Sequence, residues 1–390
     1  MEIKTIAIIG GGASGLMAAI QAAKNKDNKV IIIEKNNRLG RKVLASGNGR
    51  CNFTNLNAAP YHYNNPEFAG EVLSNFTVIN TLDFFESRGL MYTSDEQGRT
   101  YPISYNANTV LDILMNETAK LNIEIRLNSK VTEIEKLRDK FIIKCEDEEI
   151  SADRVVFTVG SNAGLTKRDD ISGILKNTGH KIIAGTPALT PLKTVKSEVR
   201  ELSGIRIKAK ISLNSDKKTI YEEAGEVLFK DEGISGIAIF NASLFYQREE
   251  IKEGLFISLN LLPEYDKNAL KERFNTLNLP VDQFLYGIFN RKIADKILTD
   301  SGRRHVDNII EIIKDMRFTV TGTYGLGNAQ IAIGGISTEQ VSAHSLESQL
   351  IHGLYFAGEA LDIDGECGGY NLQWAWSSGA VAGKSAGKGQ

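Results

Sequence analysis

Thr5-Ile-Ala-Ile-Ile-Gly10-Gly-Gly12-Ala-Ser-Gly15-Leu-Met-Ala-Ala-Ile-Gln-Ala-Ala-Lys24 decides the fold. The run before Gly10 is continuously apolar, as in a parallel strand buried on both faces. The alanine-rich stretch Leu16–Lys24 reads as a helix, and Val30–Ile33 as a second buried strand ending at Glu34. Strand, Gly10-x-Gly12-x-x-Gly15, helix, strand and acid together make one βαβ dinucleotide-binding unit. Gly10 permits the tight turn, Gly12 lets the backbone approach a pyrophosphate, and Gly15 lets the helix pack closely on the strand. The amides of Ala13 and Ser14, at the positive end of the helix dipole, then face the phosphates. Glu34, with Lys35 beside it, stands where ribose hydroxyls would donate. Its charge repels a 2′-phosphate, so the bound adenosine is not expected to be that of NADP.

Outward from this unit, 390 residues imply two or three compact units. The formal net charge of −2, with both signs interspersed, lacks the basic face of a nucleic-acid binder, so no nucleic-acid partner is expected. No apolar run reaches membrane-span length, and the chain enters a strand within its first few residues, leaving no room for a signal peptide. A cytoplasmic location is expected. Cys51, Cys145 and Cys367 are too scattered for a disulfide framework, and the histidines include no pair at metal-ligand spacing, so no metal is expected.

Helical periodicity returns at Glu67–Arg88 and Thr109–Leu121, and strands read at Ile123–Leu127, Val131–Leu137, Lys140–Cys145 and Arg154–Thr158. Residues 187–262 are strand-rich, including Ile205–Leu213 and Leu255–Leu262; 266–313 turn helical, and Phe318–Thr323 returns to strand. Leu354–Gly358 is another buried strand, followed by a small-residue helix. Cofactor-type signals at both ends, with unrelated segments between, imply a nucleotide-binding domain split by an insertion. The expected parts are residues 1–186 with 317–390, a β-rich insertion at 187–263, and helices at 264–316.

The first motif alone does not choose between FAD and NAD. Asn37-Arg-Leu-Gly-Arg-Lys42 resembles the Gly-Arg extension of glutathione-reductase-type flavoproteins, with Arg41 and Lys42 supplying positive charge near the pyrophosphate. Thr158-Val-Gly160 ends a strand where such proteins carry Ala-Thr-Gly, Phe157 standing at the alanine position. Leu354-Tyr-Phe-Ala-Gly358-Glu359 resembles the second flavin fingerprint, with Glu359 replacing its aspartate. That carboxylate would accept a hydrogen bond from the ribitol chain, which NAD lacks. Gly368-Gly369-Tyr370-Asn371-Leu372-Gln373 opens the last helix, whose amides could face the flavin pyrimidine edge, where negative charge gathers on reduction. Val131, opening its strand, is also expected to touch the cofactor.

Gly40-Arg-Lys followed by Ser46-Gly47-Asn-Gly-Arg50-Cys51-Asn52-Phe-Thr-Asn55 resembles the signature of the BaiN-like (YhiN-like) flavoproteins, also called the aminoacetone oxidase family. Leu228-Phe-Lys-Asp-Glu-Gly-Ile-Ser-Gly236, Ala357–Gly365 and Gly368–Ala375 agree, so the anchors span nearly the whole chain. Where the family more often has proline after Gly236, this chain has Ile237. The resemblance implies an α/β fold: a Rossmann-type, glutathione-reductase-like FAD-binding domain interrupted by a β-barrel-like insertion and a small helical subdomain. It also implies a flavin-dependent oxidoreductase. Reduction of conjugated double bonds in steroid-like molecules and oxidation of amino-ketones have both been attached to relatives.

The flavin carries the redox chemistry, and the protein supplies orientation, electrostatics and proton traffic. Ser46, Gly47, Arg50, Cys51 and Asn52 are expected near the isoalloxazine. Arg50 could stabilise developing negative charge, Asn52 and Asn371 could meet the ring or ribitol or simply make turns, and Tyr370 could donate a proton or cover the ring. A Cys51–Cys367 redox pair is conceivable, but the spacing is no CxxC motif. Nothing around His305 or His344 marks an acid or base. No second dinucleotide turn occurs between residues 160 and 353, so NADH or NADPH is expected to bind transiently as co-substrate. The small-molecule substrate would be organic and apolar, under a roof including Phe240, Phe245, Tyr246, Phe284, Tyr286 and Phe289. An oxygen-using amine oxidase and a non-enzymatic flavin redox sensor are the alternatives, with RNA modification by a flavoprotein disfavoured by the absence of a basic stripe.

Overall fold

The computed structural model describes residues 3–164, 171–250, 252–302 and 305–388. Its first unit, residues 1–186 and 331–390, is built on a five-stranded parallel sheet. The strands are β1 (Lys4–Ile9), β2 (Asn28–Ile33), β3 (Glu124–Arg126), β4 (Arg154–Phe157) and β5 (Leu354–Phe356), in the order β5-β4-β1-β2-β3. Residues 6–9, 30–33 and 155–157 are buried, as strands covered on both faces must be. Register is set by Ile6 opposite Val30 on one side and Arg154 on the other.

Helix α1 (Ala13–Ala22) follows β1, and the chain ends in α2 (Tyr370–Gly387). The two touch backbone to backbone. A Cβ on Gly379 would lie 2.4 Å from the Ser14 carbonyl oxygen, and one on Gly383 2.2 Å from that of Ala18. This stripe of glycines brings the last helix onto the first and so closes the split domain. An antiparallel meander, Val131–Leu137, Lys140–Cys145 and Glu149–Ala152, accompanies the sheet. The periodic stretch 67–88 is two helices, Pro66–Asn75 and Val78–Glu86, because Thr77 and Asn80 form a capping box that starts a new helix.

The second unit, residues 187–330, holds a closed six-stranded barrel. Around the ring run Leu192–Thr194, Gly233–Ser235, Thr219–Lys230, Arg206–Asn214, Phe256–Asn260 and Met316–Thr323. Its interior includes Leu192, Ile211, Val227, Ile257, Leu259 and Phe318, all fully buried. Helices Lys267–Leu277, Val281–Tyr286, Arg291–Asp300 and Val306–Lys314 share that core. The first unit resumes at residue 331 rather than 317, because Met316–Thr323 pairs with both Phe256–Asn260 and Leu192–Thr194 and closes the barrel. One element departs from the strand-rich reading: Ile237–Arg248 is a helix. Among the expected roof aromatics, Tyr246, Phe284 and Phe289 are buried in this core, and Phe245 stacks on Tyr221 with ring centroids 4.6 Å apart. They stabilise the unit itself. Among the described residues no helix is long and apolar enough to cross a membrane.

Candidate functional site

The loop after β1 separates its glycines by what surrounds them. A Cβ on Gly10 would stand 2.9 Å from the Thr158 carbonyl oxygen, on Gly11 2.2 Å from Leu39 Cδ2, and on Gly15 1.9 Å from the Gly10 carbonyl oxygen. Those three are closed by packing. A Cβ on Gly12 would meet nothing within 4 Å. Gly12 is the N-cap of α1, and no side chain caps that end. First-turn amides have no intrahelical acceptor, so an open, donor-lined hollow faces solvent at the helix start. The hollow fits a diphosphate. Thr158 locks its rear wall, its Oγ1 2.8 Å from the carbonyl oxygens of both Ile9 and Gly10.

Glu34 ends β2 almost fully buried. Its Oε2 accepts the Gly11 N–H at 2.8 Å and its Oε1 the Asn36 N–H at 2.9 Å. The carboxylate is thereby fixed beside the hollow, where ribose hydroxyls could reach it. The Ser129 N–H donates to the Glu34 carbonyl at 3.0 Å, which brings the start of the Val131 strand alongside. A cavity of about 310 Å³ between residues 127–130 and 146–148 adjoins this end and could take an adenine.

Arg41 and Lys42 do not act together. On the short helix Arg41–Ala45, neighbouring side chains point about 100° apart. Arg41 donates to Asn36 Oδ1 at 2.6 Å, at the Glu34 end. Lys42 turns the other way: its Nζ donates to the Ser161 carbonyl at 2.7 Å and pairs with Glu359 Oε2 at 2.8 Å. The two side chains thus serve opposite ends of the glycine turn. Lys42 holds the carboxylate that would meet the ribitol chain, and Gly160 leaves room for that pair, since its Cβ would be 3.2 Å from Glu359 Oε2.

The turn after β5 is bolted to both terminal helices. The Gly358 N–H donates to Ser378 Oγ at 2.9 Å, and Trp374 Nε1 donates to the Gly358 carbonyl at 3.1 Å. A Cβ on Gly358 would lie 2.4 Å from Ser14 Oγ. Gly12, Ser14, Thr158, Gly160, Gly358 and Glu359 thus meet at the carboxyl ends of β1, β4 and β5, where doubly wound sheets take their ligands.

The loop Ser46–Asn55 is wound tightly, with positive φ at Gly47, Asn48, Gly49 and Cys51. It is tied to the start of α2: Asn55 Nδ2 donates to the Gly368 carbonyl at 2.8 Å, and Thr54 Oγ1 donates to Gln373 Oε1 at 2.6 Å. Asn52 Oδ1 accepts the Thr100 N–H at 3.1 Å. Asn371 accepts the Gly365 N–H at 2.9 Å and donates to the Gly365 carbonyl at 2.8 Å. Asn371 thereby closes the turn from Gly365, and Asn52 ties its loop to the strand Arg99–Pro102. The Leu372 side chain packs on the core, which leaves its backbone amide, with that of Gly369, for any ligand. Cys51 is fully buried, and burial pushes its thiol up to about 11 despite a hydrogen bond from Ser46 that acts the other way. Cys51 packs in the core, and its burial disfavours the reactive thiolate.

His305 and His344 gain no site: His305 is a helix N-cap without a capping bond, and His344 is largely exposed beside Glu71. A different histidine does. His62 Nδ1 lies 3.1 Å from Glu366 Oε2, and its ring stacks on Tyr370 with centroids 4.2 Å apart. Tyr63 Oη donates to the Tyr370 carbonyl at 2.9 Å. Tyr370 is thereby covered at the first turn of α2. His62 and Glu366 are 304 residues apart, so no spacing rule could have paired them.

A parallel sheet with a donor-lined glycine turn, a buried ribose acid and a second glycine-acid turn brought to the same edge defines a Rossmann-type FAD-binding fold, here with a barrel insertion. Residues 4–385 match the family described as HI0933-like protein Rossmann domain, and the chain belongs to that family of FAD-dependent oxidoreductases. It is 36% identical to the 3-dehydro-bile acid delta(4,6)-reductase of Clostridium scindens, over 98% of both chains. It is 30% identical to the ribosomal RNA dihydrouridine synthase of Escherichia coli, over 97% of this chain and 96% of the relative. Among solved structures, the 3-ketosteroid-delta4-(5alpha)-dehydrogenase of Rhodococcus jostii shares the fold. Its TM-score is 0.52 at 12% identity, covering 100% of this chain and 98% of that one.

Proposed function

We propose that this protein reduces a carbon–carbon double bond conjugated to a carbonyl in a small organic molecule, with NADH or NADPH as a transient hydride donor. The observation that carries the reading is chemical. The bile acid reductase and the dihydrouridine synthase, to judge by their names, add hydrogen across a double bond activated by a neighbouring carbonyl. FAD, when bound, supplies the hydride transfer. The chain's residues do the rest. The amides around Gly12 hold the diphosphate, Glu34 the ribose, and Glu359, oriented by Lys42, the ribitol. The start of α2, at Gly369 and Leu372, would balance negative charge at the ring.

The reaction consumes one hydride and one proton per double bond, and releases oxidised nicotinamide. We assign the proton to His62, which Glu366 orients through Nδ1 and which solvent can recharge. With no second dinucleotide turn between residues 160 and 353, the donor binds only in passing.

The test is anaerobic. NADH or NADPH should bleach the flavin, and a 3-oxo-4-ene steroid should restore its colour while being reduced. Bleaching without any recolouring by conjugated enones, but with recolouring by unmodified ribosomal RNA, would move the substrate to uridine. The 30% identity to the dihydrouridine synthases motivates that second reading, and the net charge of −2 weighs against it.

A further inference from the structure

We infer that Tyr61, which no motif marks, is a positioning residue for proton delivery: it closes the second face of His62, so that Nε2 is the ring's one outlet toward a substrate. The inference rests on the conjugate-reductase reading, in which His62 supplies the proton, and adds to it a residue that acts through His62.

The His62 ring has two neighbours at stacking distance. The Tyr370 centroid lies 4.2 Å away with its plane at 26°, and that of Tyr61 4.4 Å away at 43°. Centroids nearer than about 4.5 Å require a ring over a face rather than at an edge. One imidazole face has no room for two phenol rings, so the tyrosines take opposite faces. In the ring plane, Nδ1 is 3.1 Å from Glu366 Oε2, and Nε2 has no hydrogen-bond partner among the described residues. The His62 side chain is 14% exposed. With both faces and Nδ1 covered, that opening falls on the Nε2 edge.

The rest of the loop is braced without Tyr61. His62 ends the short turn Pro60–His62. The Glu366 N–H donates to the His62 carbonyl at 3.2 Å, the Asn64 N–H to the Asp364 carbonyl at 3.0 Å, and the Asp364 N–H to Asn64 Oδ1 at 3.0 Å. Tyr63 bridges Gly365 in an antiparallel pairing. This ladder sets the histidine and glutamate backbones side by side but leaves the rotamer of His62 to its surroundings. Tyr370 is buried and supplies a fixed wall, whereas Tyr61 is 72% exposed and stands outside the hydrophobic core. A ring so exposed adds little to folding. What it does is keep the imidazole from swinging off Glu366.

The chemistry needs that restraint. Once a hydride has reached the β-carbon of an enone, the α-carbon takes a proton. Nε2–H gives it, and His62 is left neutral with its remaining proton on Nδ1, toward Glu366; solvent then returns a proton to Nε2. A ring free to turn would break the Glu366 bond and misdirect Nε2. Misplacing a reacting group by about 1 Å costs up to about 100-fold in rate.

The experiment uses FAD-loaded wild type, Tyr61→Ala and Tyr61→Phe. In anaerobic stopped flow, the nicotinamide donor should reduce all three at the same rate. Reoxidation by a 3-oxo-4-ene steroid should be about tenfold slower or more in Tyr61→Ala, with a larger solvent deuterium isotope effect, while Tyr61→Phe keeps the wild-type rate. A second readout needs no turnover. Long-range proton–nitrogen spectra of histidine-labelled protein, taken above the histidine titration range, should show His62 protonated at Nδ1 in the wild type and Tyr61→Phe, and a tautomer mixture in Tyr61→Ala. An unchanged His62 tautomer in Tyr61→Ala would overturn the inference. So would flavin reduction slowed as much as reoxidation, or a Tyr61→Phe protein as slow as Tyr61→Ala. If no enone reoxidises the wild-type flavin, the reductase reading fails and the spectra alone decide the clamp; enone reduction indifferent to Tyr61 leaves that reading standing and ends this one.

Discussion

Replacing Gly12 with alanine should separate cofactor binding from folding. The backbone there sits at φ −81°, ψ −167°, open to any residue, and a Cβ meets nothing within 4 Å. The flavin-free protein should keep its stability or gain about 0.4–1 kcal/mol from a stiffer unfolded chain. The added methyl would fill the hollow that a diphosphate must enter. Losing one hydrogen bond to a charged group costs about 1.5–3 kcal/mol, which is about 10- to 100-fold in FAD affinity. Gly15→Ala is the contrasting change. Its Cβ would stand 1.9 Å from the Gly10 carbonyl oxygen and 2.7 Å from Thr158 Oγ1. An ordinary contact needs about 3.5 Å, so α1 must shift by about 1.5 Å, and stability should fall by about 1–3 kcal/mol with or without cofactor. Thermal melts of flavin-stripped protein and flavin-fluorescence titrations read the two effects apart. If Gly12→Ala binds FAD like the wild type, or both variants melt equally early, the division of labour among these glycines is wrong.

Three further outcomes can be checked. Gly383→Leu should lower stability by about 1–3 kcal/mol or more in a chemical melt, because its Cβ would sit 2.2 Å from the Ala18 carbonyl oxygen between α1 and α2. Cys51 should resist iodoacetamide at neutral pH, and Cys51→Ala should keep both FAD and turnover, since the buried thiol is pushed up to about 11; rapid labelling would contradict this. His180 is buried between Thr178 Oγ1 and Ser348 Oγ, each 2.9 Å away, and burial lowers its pKa from the ordinary 6.5. The unfolded chain therefore takes up this proton first. Stability is fully present above about pH 6.5 and should fall as pH drops below it, by at most about 1.4 kcal/mol per pH unit from this group. His180→Gln should flatten that slope in pH-dependent melts.

Much of the fold was legible because local and global signals agree at the chain's ends. Continuous apolar runs at 5–9, 30–33 and 354–356 form the buried parallel strands, and the glycines at 379 and 383 mark the helix contact. The misreadings have physical causes. Ile237–Arg248 is rich in β-branched and aromatic residues, yet it is a helix: packing outweighed propensity. The expected return at 317 falls within a strand whose sequence does not say which sheet it joins; only tertiary pairing assigns Met316–Thr323 to the barrel. At the candidate site, the residue types gathered around Gly12 and Gly358 could be named from motifs. The Lys42–Glu359 pair and the His62–Glu366–Tyr370 stack could not, because each joins segments whose approach depends on the folded sheet.

The account turns on one adenine-flavin molecule gripped by both ends of the chain. Its most direct measurement is the visible spectrum and FAD content of the purified protein, alongside Glu359→Ala. The account predicts bound FAD at one per chain, and weaker retention in the variant. A colourless protein with no affinity for added FAD, or a Glu359→Ala variant that holds it as tightly as the wild type, would contradict it.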